Sequence, residues 1–284
     1  MPLDLSVPTP LQYFSALVQQ DEPLPLLEAA ACLGQDDAPD LDVQQVLSDV
    51  DQLASRLRRR TAGLTGPVAH LQALNQCFFG EWGFAGNVND YYAPANSYLH
   101  EVLRTRRGIP ISLAVLWLEL AQSLGLKAEG VGFPGHFLVQ VHVEEGRVVI
   151  DPFTGQPLSR SDLRERMDDL HPRLKPMVDD ADTLLRLYLQ PASPRQILVR
   201  MLRNLQDIHR TAERWQPLVA VQDRLIVLLP EAWEEYRDRG LALAHLGQTE
   251  RALHDLTRYL NEVADATDRA SITDLLAELG RAGA

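Results

Sequence analysis

The stretch from Ile111 to Leu124 is apolar almost all the way round a helix, and Gly125 ends it. A helix without a polar face belongs inside a protein, wrapped by other elements. Its polar exceptions are Ser112, Glu119, Gln122 and Ser123. Ser112, Glu119 and Ser123 fall on one narrow stripe, at i, i+7 and i+11. The stretch is too short and too interrupted to span a bilayer. Downstream the period changes. Glu129–Phe133, His136–Val143 and Arg147–Asp151 read as strands, the last two joined by a turn at Glu145-Gly146. A buried helix followed by such strands predicts an α+β fold with a sheet laid on the helix.

The flanks are helical. Leu11, Phe14, Leu17 and Val18 form an apolar stripe after Pro10, and Pro23 and Pro25 break it. Leu26–Leu33 is a second helix stopped by Gly34, and Val43–Leu57 a third. Residues 80–97 are rich in turn formers, interleaved with Trp82, Phe84, Tyr91 and Tyr92. These aromatics predict a loop packed on a core. The loop lacks Lys and Arg, which argues against a nucleic-acid platform.

From Ile197 onward the pattern is helical with a 34-residue period: Leu202 with Tyr236, Ile208 with Ala242, Leu225 with Tyr259. Gly240, Ala242, Gly247, Ala252 and Leu256 fit the two helices of a tetratricopeptide unit. In the preceding unit Gln206 and Leu218 occupy the small-residue positions. Two such units make no long groove and need support from elsewhere. The expected partition is a helical region over 1–80, an α+β core over 81–160, a connector over 161–194 and repeats over 195–284.

Net charge is -12 and 45% of the residues are hydrophobic. An acidic chain repels nucleic acid and anionic membranes, so neither is an expected partner. The run Arg56–Arg60 is short and reads as a solvated helix face. The two cysteines, Cys32 and Cys77, form no metal-type cluster and fit a reduced cytoplasmic protein. The first ten residues are acidic and proline-broken, unlike a signal peptide. We expect no cofactor and no metal. His136, His142 and Asp151 are a weak metal set, because the two histidines stand about 20 Å apart along one strand.

His136 and Asp151 lie at the ends of two strands joined by a hairpin, where an imidazole and a carboxylate can face each other. In a cysteine hydrolase or transglutaminase, a thiol at a helix start completes that frame. The runs Asn96-Ser97-Tyr98-Leu99, Glu101-Val102-Leu103, Arg107–Ser112, Gly130–Phe137 and Asp151-Pro152-Phe153 closely resemble the bacterial SirB-type family. That resemblance implies a papain- or transglutaminase-like core with C-terminal tetratricopeptide repeats, and supplies a fold more than an activity. Active transglutaminase-like cores resemble G-x-C-x-x-x-A. Setting Gly108 and Ala114 on that pattern places Pro110 at the nucleophile position. Proline suits the first position of a helix but offers no nucleophile.

Ser112 is the nearby alternative, about 200° round the helix from Pro110. Asn96, Glu101 and Arg107 are further polar candidates for the cleft. Glu101 has Arg104 or Arg107 as its expected ion-pair partner. The reading is a non-catalytic scaffold whose repeats hold a protein or peptide. The alternative is a hydrolase or acyltransferase using Ser112, His136 and Asp151.

Overall fold

The computed structural model describes residues 8–170 and 181–282. The first seven residues and residues 171–180 of the expected connector lie outside the described residues. The helices are α1 (Pro10–Leu17), α2 (Leu26–Ala31), α3 (Val43–Thr61), α4 (Pro67–Asn75), α5 (Leu99–Thr105), α6 (Pro110–Ser123), α7 (Arg160–Leu170), α8 (Ala181–Tyr188), α9 (Pro194–Thr211), α10 (Trp215–Leu228), α11 (Trp233–His245), α12 (Thr249–Glu262) and α13 (Arg269–Ala282). The strands are β1 (Ala85–Gly86), β2 (Arg107–Gly108), β3 (Ala128–Val131), β4 (Leu138–Val143), β5 (Gly146–Asp151) and β6 (Gln156–Leu158). The chain forms two compact units. One comprises residues 25–34 and 40–201. The other comprises the described residues up to Leu24, Gln35–Pro39 and those from Leu202 on.

The first unit is built round α6. Ile111, Leu113, Ala114, Val115, Leu116, Trp117, Leu120 and Ala121 are all at most 1% exposed. Helices α2, α3, α4 and α5 and strands β3 and β4 all pack against it. The one polar atom of Trp117 is satisfied, its indole N–H donating to Asn75 Oδ1 at 3.0 Å. Helix α3 is capped by the Asp42 carboxylate, which accepts from the Gln44 N–H. It buries Val43, Val46, Val50, Leu53 and Leu57. Arg56, Arg58, Arg59 and Arg60 stay exposed, as a solvated face should.

The sheet is an antiparallel meander in the order β3-β4-β5-β6. Val139 pairs with Ile150 and Val143 with Gly146. The hairpin turn is therefore Glu144-Glu145, one residue earlier than the sequence implies. Gly146, at φ +137°, is the first ladder residue. Strand β4 also starts later than expected. Gly135, at φ +66°, turns the chain, and His136 sits in the turn two residues before the strand. Helices α7 and α8 carry Leu163, Met167 and Leu185 into one cluster with Val131, Phe133, Leu138 and Val149. Phe84 packs as anticipated, stacking on Phe78 at 4.3 Å, whereas Tyr91 and Tyr92 of the same loop are exposed.

In the second unit α10, α11, α12 and α13 pack in succession. A Cβ on Gly240 would lie 2.7 Å from Leu256 Cγ, so α11 and α12 meet there. Ala252 is fully buried in a cluster with Leu218, Val219, Ala242 and Leu243. Gln206, at the small-residue position of the preceding repeat, is buried and donates to Glu235 Oε2 at 2.8 Å. Helix α1 packs on α10. The Arg224 guanidinium lies 5.5 Å from the Phe14 ring and forms an ion pair with Asp36. Residues from the beginning of the chain thus extend the repeat stack.

The contrast between two glycines tests this packing. Gly240→Ala should lower stability by roughly 1–3 kcal/mol through overpacking. A Cβ on Gly280, in α13, meets nothing within 4 Å. Gly280→Ala should raise stability by about 0.5–1 kcal/mol. Urea unfolding of both variants checks the pair, and a gain from Gly240→Ala would refute the close contact.

Candidate functional site

Asp151 is the last residue of β5, and its carboxylate is 2% exposed. A buried carboxylate requires donors, and three are supplied. His136 Nε2 lies 2.7 Å from Oδ1, the Phe153 N–H donates to Oδ1 at 2.9 Å, and Arg166 Nη2 donates to Oδ2 at 2.9 Å. Burial alone would push this carboxyl up. The His136 bond and charge, the Phe153 amide and Arg166 outweigh it and hold Asp151 below the ordinary carboxylate range. An ionised carboxylate only accepts, so Nε2 carries the proton that His136 donates to Asp151. Nδ1 makes no hydrogen bond among the described residues.

The turn presenting His136 is clamped from behind. Arg200 Nη2 donates to the carbonyls of Phe133 at 3.1 Å and His136 at 2.7 Å. The His136 N–H returns to the Phe133 carbonyl at 3.1 Å. Phe153 stands edge-on to the imidazole at 6.4 Å and lies 5.9 Å from Tyr91. Tyr91 and Tyr92 form an exposed aromatic ledge with Val88.

Asn96 anchors that ledge. Its Nδ2 donates to the carbonyls of Asp90 and Tyr91, at 2.6 and 3.1 Å, and its Oδ1 accepts from Asn87 Nδ2 at 3.0 Å. Ser112 is fully buried beneath it. The Ser112 hydroxyl donates to the Asn96 carbonyl at 2.6 Å and accepts from the Ile109 N–H at 3.1 Å. Pro110 is buried at the first position of α6.

The structure therefore brings His136 and Asp151 together and gives the Ser112 hydroxyl other partners. Glu101 pairs with Arg104, its Oε2 3.2 Å from Nε, and lies 3.6 Å from His100. Arg107 donates to the carbonyl of Gly83 at 2.7 Å. His142 pairs with Glu129 at 2.9 Å, away from any set with His136. Both cysteines are buried, and burial pushes the Cys77 thiol up. Sequence reasoning missed Arg166 and Arg200. The first lies in a polar stretch read as a connector, the second at the start of the repeats.

A transglutaminase-like core followed by tetratricopeptide repeats is the class that this arrangement defines. The family model for the transglutaminase-like superfamily matches residues 44–203, and one for the tetratricopeptide repeat matches residues 205–277. The chain belongs to that superfamily and, within it, to the UPF0162 proteins, whose relatives include SirB1. It is 42% identical over 241 residues to a UPF0162 protein of Xylella fastidiosa (strain 9a5c), covering 84% of each chain. It is 30% identical to one of Pseudomonas aeruginosa, covering 91% of this chain and 92% of that one. It is 27% identical to SirB1 of Salmonella typhimurium, covering 78% and 81%.

Asp151 has a depressed pKa in the folded protein, so its stabilisation is present above the unfolded value of about 3.9 and is lost as pH falls through the folded value. Asp151→Asn should lower stability by about 2 kcal/mol at pH 7. The gap to wild type should shrink below pH about 4. Denaturant unfolding at pH 7 and pH 3 measures it, and equal gaps would contradict the ionised carboxylate.

Proposed function

We propose that this chain is a non-catalytic transglutaminase-like protein that works in the cytoplasm by holding a protein or peptide partner through its repeats. One observation carries the reading. The open nitrogen of His136 meets neither thiol nor hydroxyl among the described residues, while Ser112 spends its hydroxyl on the Asn96 carbonyl. A general base without a nucleophile performs no acyl transfer through the protein. The exposed Tyr91, Tyr92 and Val88 beside the couple support a cleft kept for contact. Two buried thiols, and no described helix long and apolar enough to cross a membrane, fit the cytoplasmic setting.

Two measurements test the proposal together. Fluorophosphonate and iodoacetamide should give no His136-dependent labelling of the folded protein, read by intact mass against a serine-hydrolase control. Labelling of Ser112 that His136→Ala abolishes would instead establish the hydrolase or acyltransferase reading. In cells, a photo-reactive residue placed along α11 or α12 should give discrete protein adducts that persist in His136→Ala. No adduct from any position on the repeats would end the scaffold reading.

A further inference from the structure

A second cleft lies in the first unit, between α3 and the end of α5. It encloses about 360 Å³ and is lined by Asp49, Gln52, Arg56, His100, Arg104 and Arg106. Its charges are not balanced within the protein. Arg104 is taken by Glu101, and Asp49 accepts from Gln45. Neither Arg56 nor Arg106 makes an ion pair or a side-chain hydrogen bond among the described residues. Arg106 Nη1 is buried with no hydrogen-bond partner. A buried donor left open is uncommon and calls for an explanation.

Arg106 is also held in place. Its guanidinium lies 4.5 Å from the Phe84 ring centroid. Its backbone N–H donates to Val102 and its carbonyl accepts from the Ala85 N–H, at 2.8 and 3.0 Å. It ends α5 at φ +59°, a left-handed conformation. Glycine usually fills such a position, and another residue costs about 1–2 kcal/mol there. The chain sets an arginine at this strained point, within reach of the Arg56 charge. Burial and the Arg56 charge lower the pKa of Arg106 from its ordinary value, and the opposing Asp49 charge does not outweigh them.

We propose that this cleft binds a small oxyanion ligand, a molecule whose phosphate or carboxylate group sits between Arg56 and Arg106. Guanidinium groups meet such oxyanions with paired, charge-assisted hydrogen bonds. The anion relieves the repulsion between the two arginines and gives their open donors acceptors. Asp49 stands seven residues before Arg56, about 10 Å along the same face of α3. It and Gln52 line the same cleft and are placed to receive a hydroxyl or amine of the ligand. The volume is near the lower bound for small-molecule sites, roughly 300–1,000 Å³. A compact phosphorylated or carboxylated metabolite fits these terms. The site is independent of the His136–Asp151 couple and of the partner-holding reading.

Calorimetric titration of the full chain tests it, with inorganic phosphate, glycerol 3-phosphate and acetate against sodium chloride at equal ionic strength. We expect saturable binding of at least one oxyanion, weakened at least tenfold by Arg56→Gln and by Arg106→Gln. Arg59→Gln, which removes an exposed charge of α3 outside the cleft, should leave binding unchanged. Arg56 is exposed, so its variant keeps the test decisive if Arg106→Gln fails to fold. Heats no different from chloride overturn the proposal, as does binding that Arg56→Gln leaves intact or that Arg59→Gln weakens equally. Binding of an acidic peptide but of none of the small probes also overturns it, and assigns the cleft to a protein.

Discussion

Everything in the first unit answers to the need to keep α6 out of water. Each large apolar side chain fully buried is worth roughly 1.5–3 kcal/mol, and this helix carries them on every side. Four helices and four strands, β1 to β4, meet that demand. The placement of the site follows. Strand β4 lies on α6, and β5 pairs with β4. The turn before β4 and the end of β5 then fall together, and those are the positions of His136 and Asp151. The couple is a consequence of how the sheet covers the helix.

The polar chemistry round α6 serves the same packing. Pro110 starts the helix without an unused N–H, and Ser112 ties the helix to the Asn96 carbonyl and the Ile109 amide. Asn96 in turn fixes the loop that carries Tyr91. Freeing the Ser112 hydroxyl to attack a substrate would take one hydrogen bond each from the Asn96 carbonyl and the Ile109 amide, which keep their bond to each other at 3.3 Å. Each such bond is worth about 0.5–1.5 kcal/mol. The Ser112 hydroxyl therefore serves the packing of α6.

The central helix, the hairpin and the imidazole–carboxylate couple were legible in the sequence because periodicity and local spacing determine them. The exact turn was not, since whether Gly146 joins the ladder depends on pairing with Val143. Arg166 and Arg200 escaped because their contacts span 15 and 64 residues, and polar side chains carry no periodic signal. The grouping of α1 with the repeats was hidden for the same reason. It rests on contacts such as Arg224 with Asp36, 188 residues apart. The 34-residue period, by contrast, was visible, and Gly240 shows its meaning: helix contact there leaves no room for a Cβ.

The arginines of this acidic chain differ in what they meet, and the distinction is physical. Arg166, Arg224 and Arg239 each meet a carboxylate within their own unit, and Arg239 reaches Asp255 and Asp223 together. Such pairs offset the penalty of taking a cation from water. Arg200 meets carbonyls and serves as a clamp. Arg106 has neither, although it is half-buried and stands at a strained helix end beside a second cation. In a chain with a net charge of -12, carboxylates are abundant, yet this half-buried arginine makes no ion pair among the described residues. A cation kept in that state gains from any acceptor that enters, so the cleft at Arg106, more than the closed His136–Asp151 couple, is where this fold retains unused binding capacity.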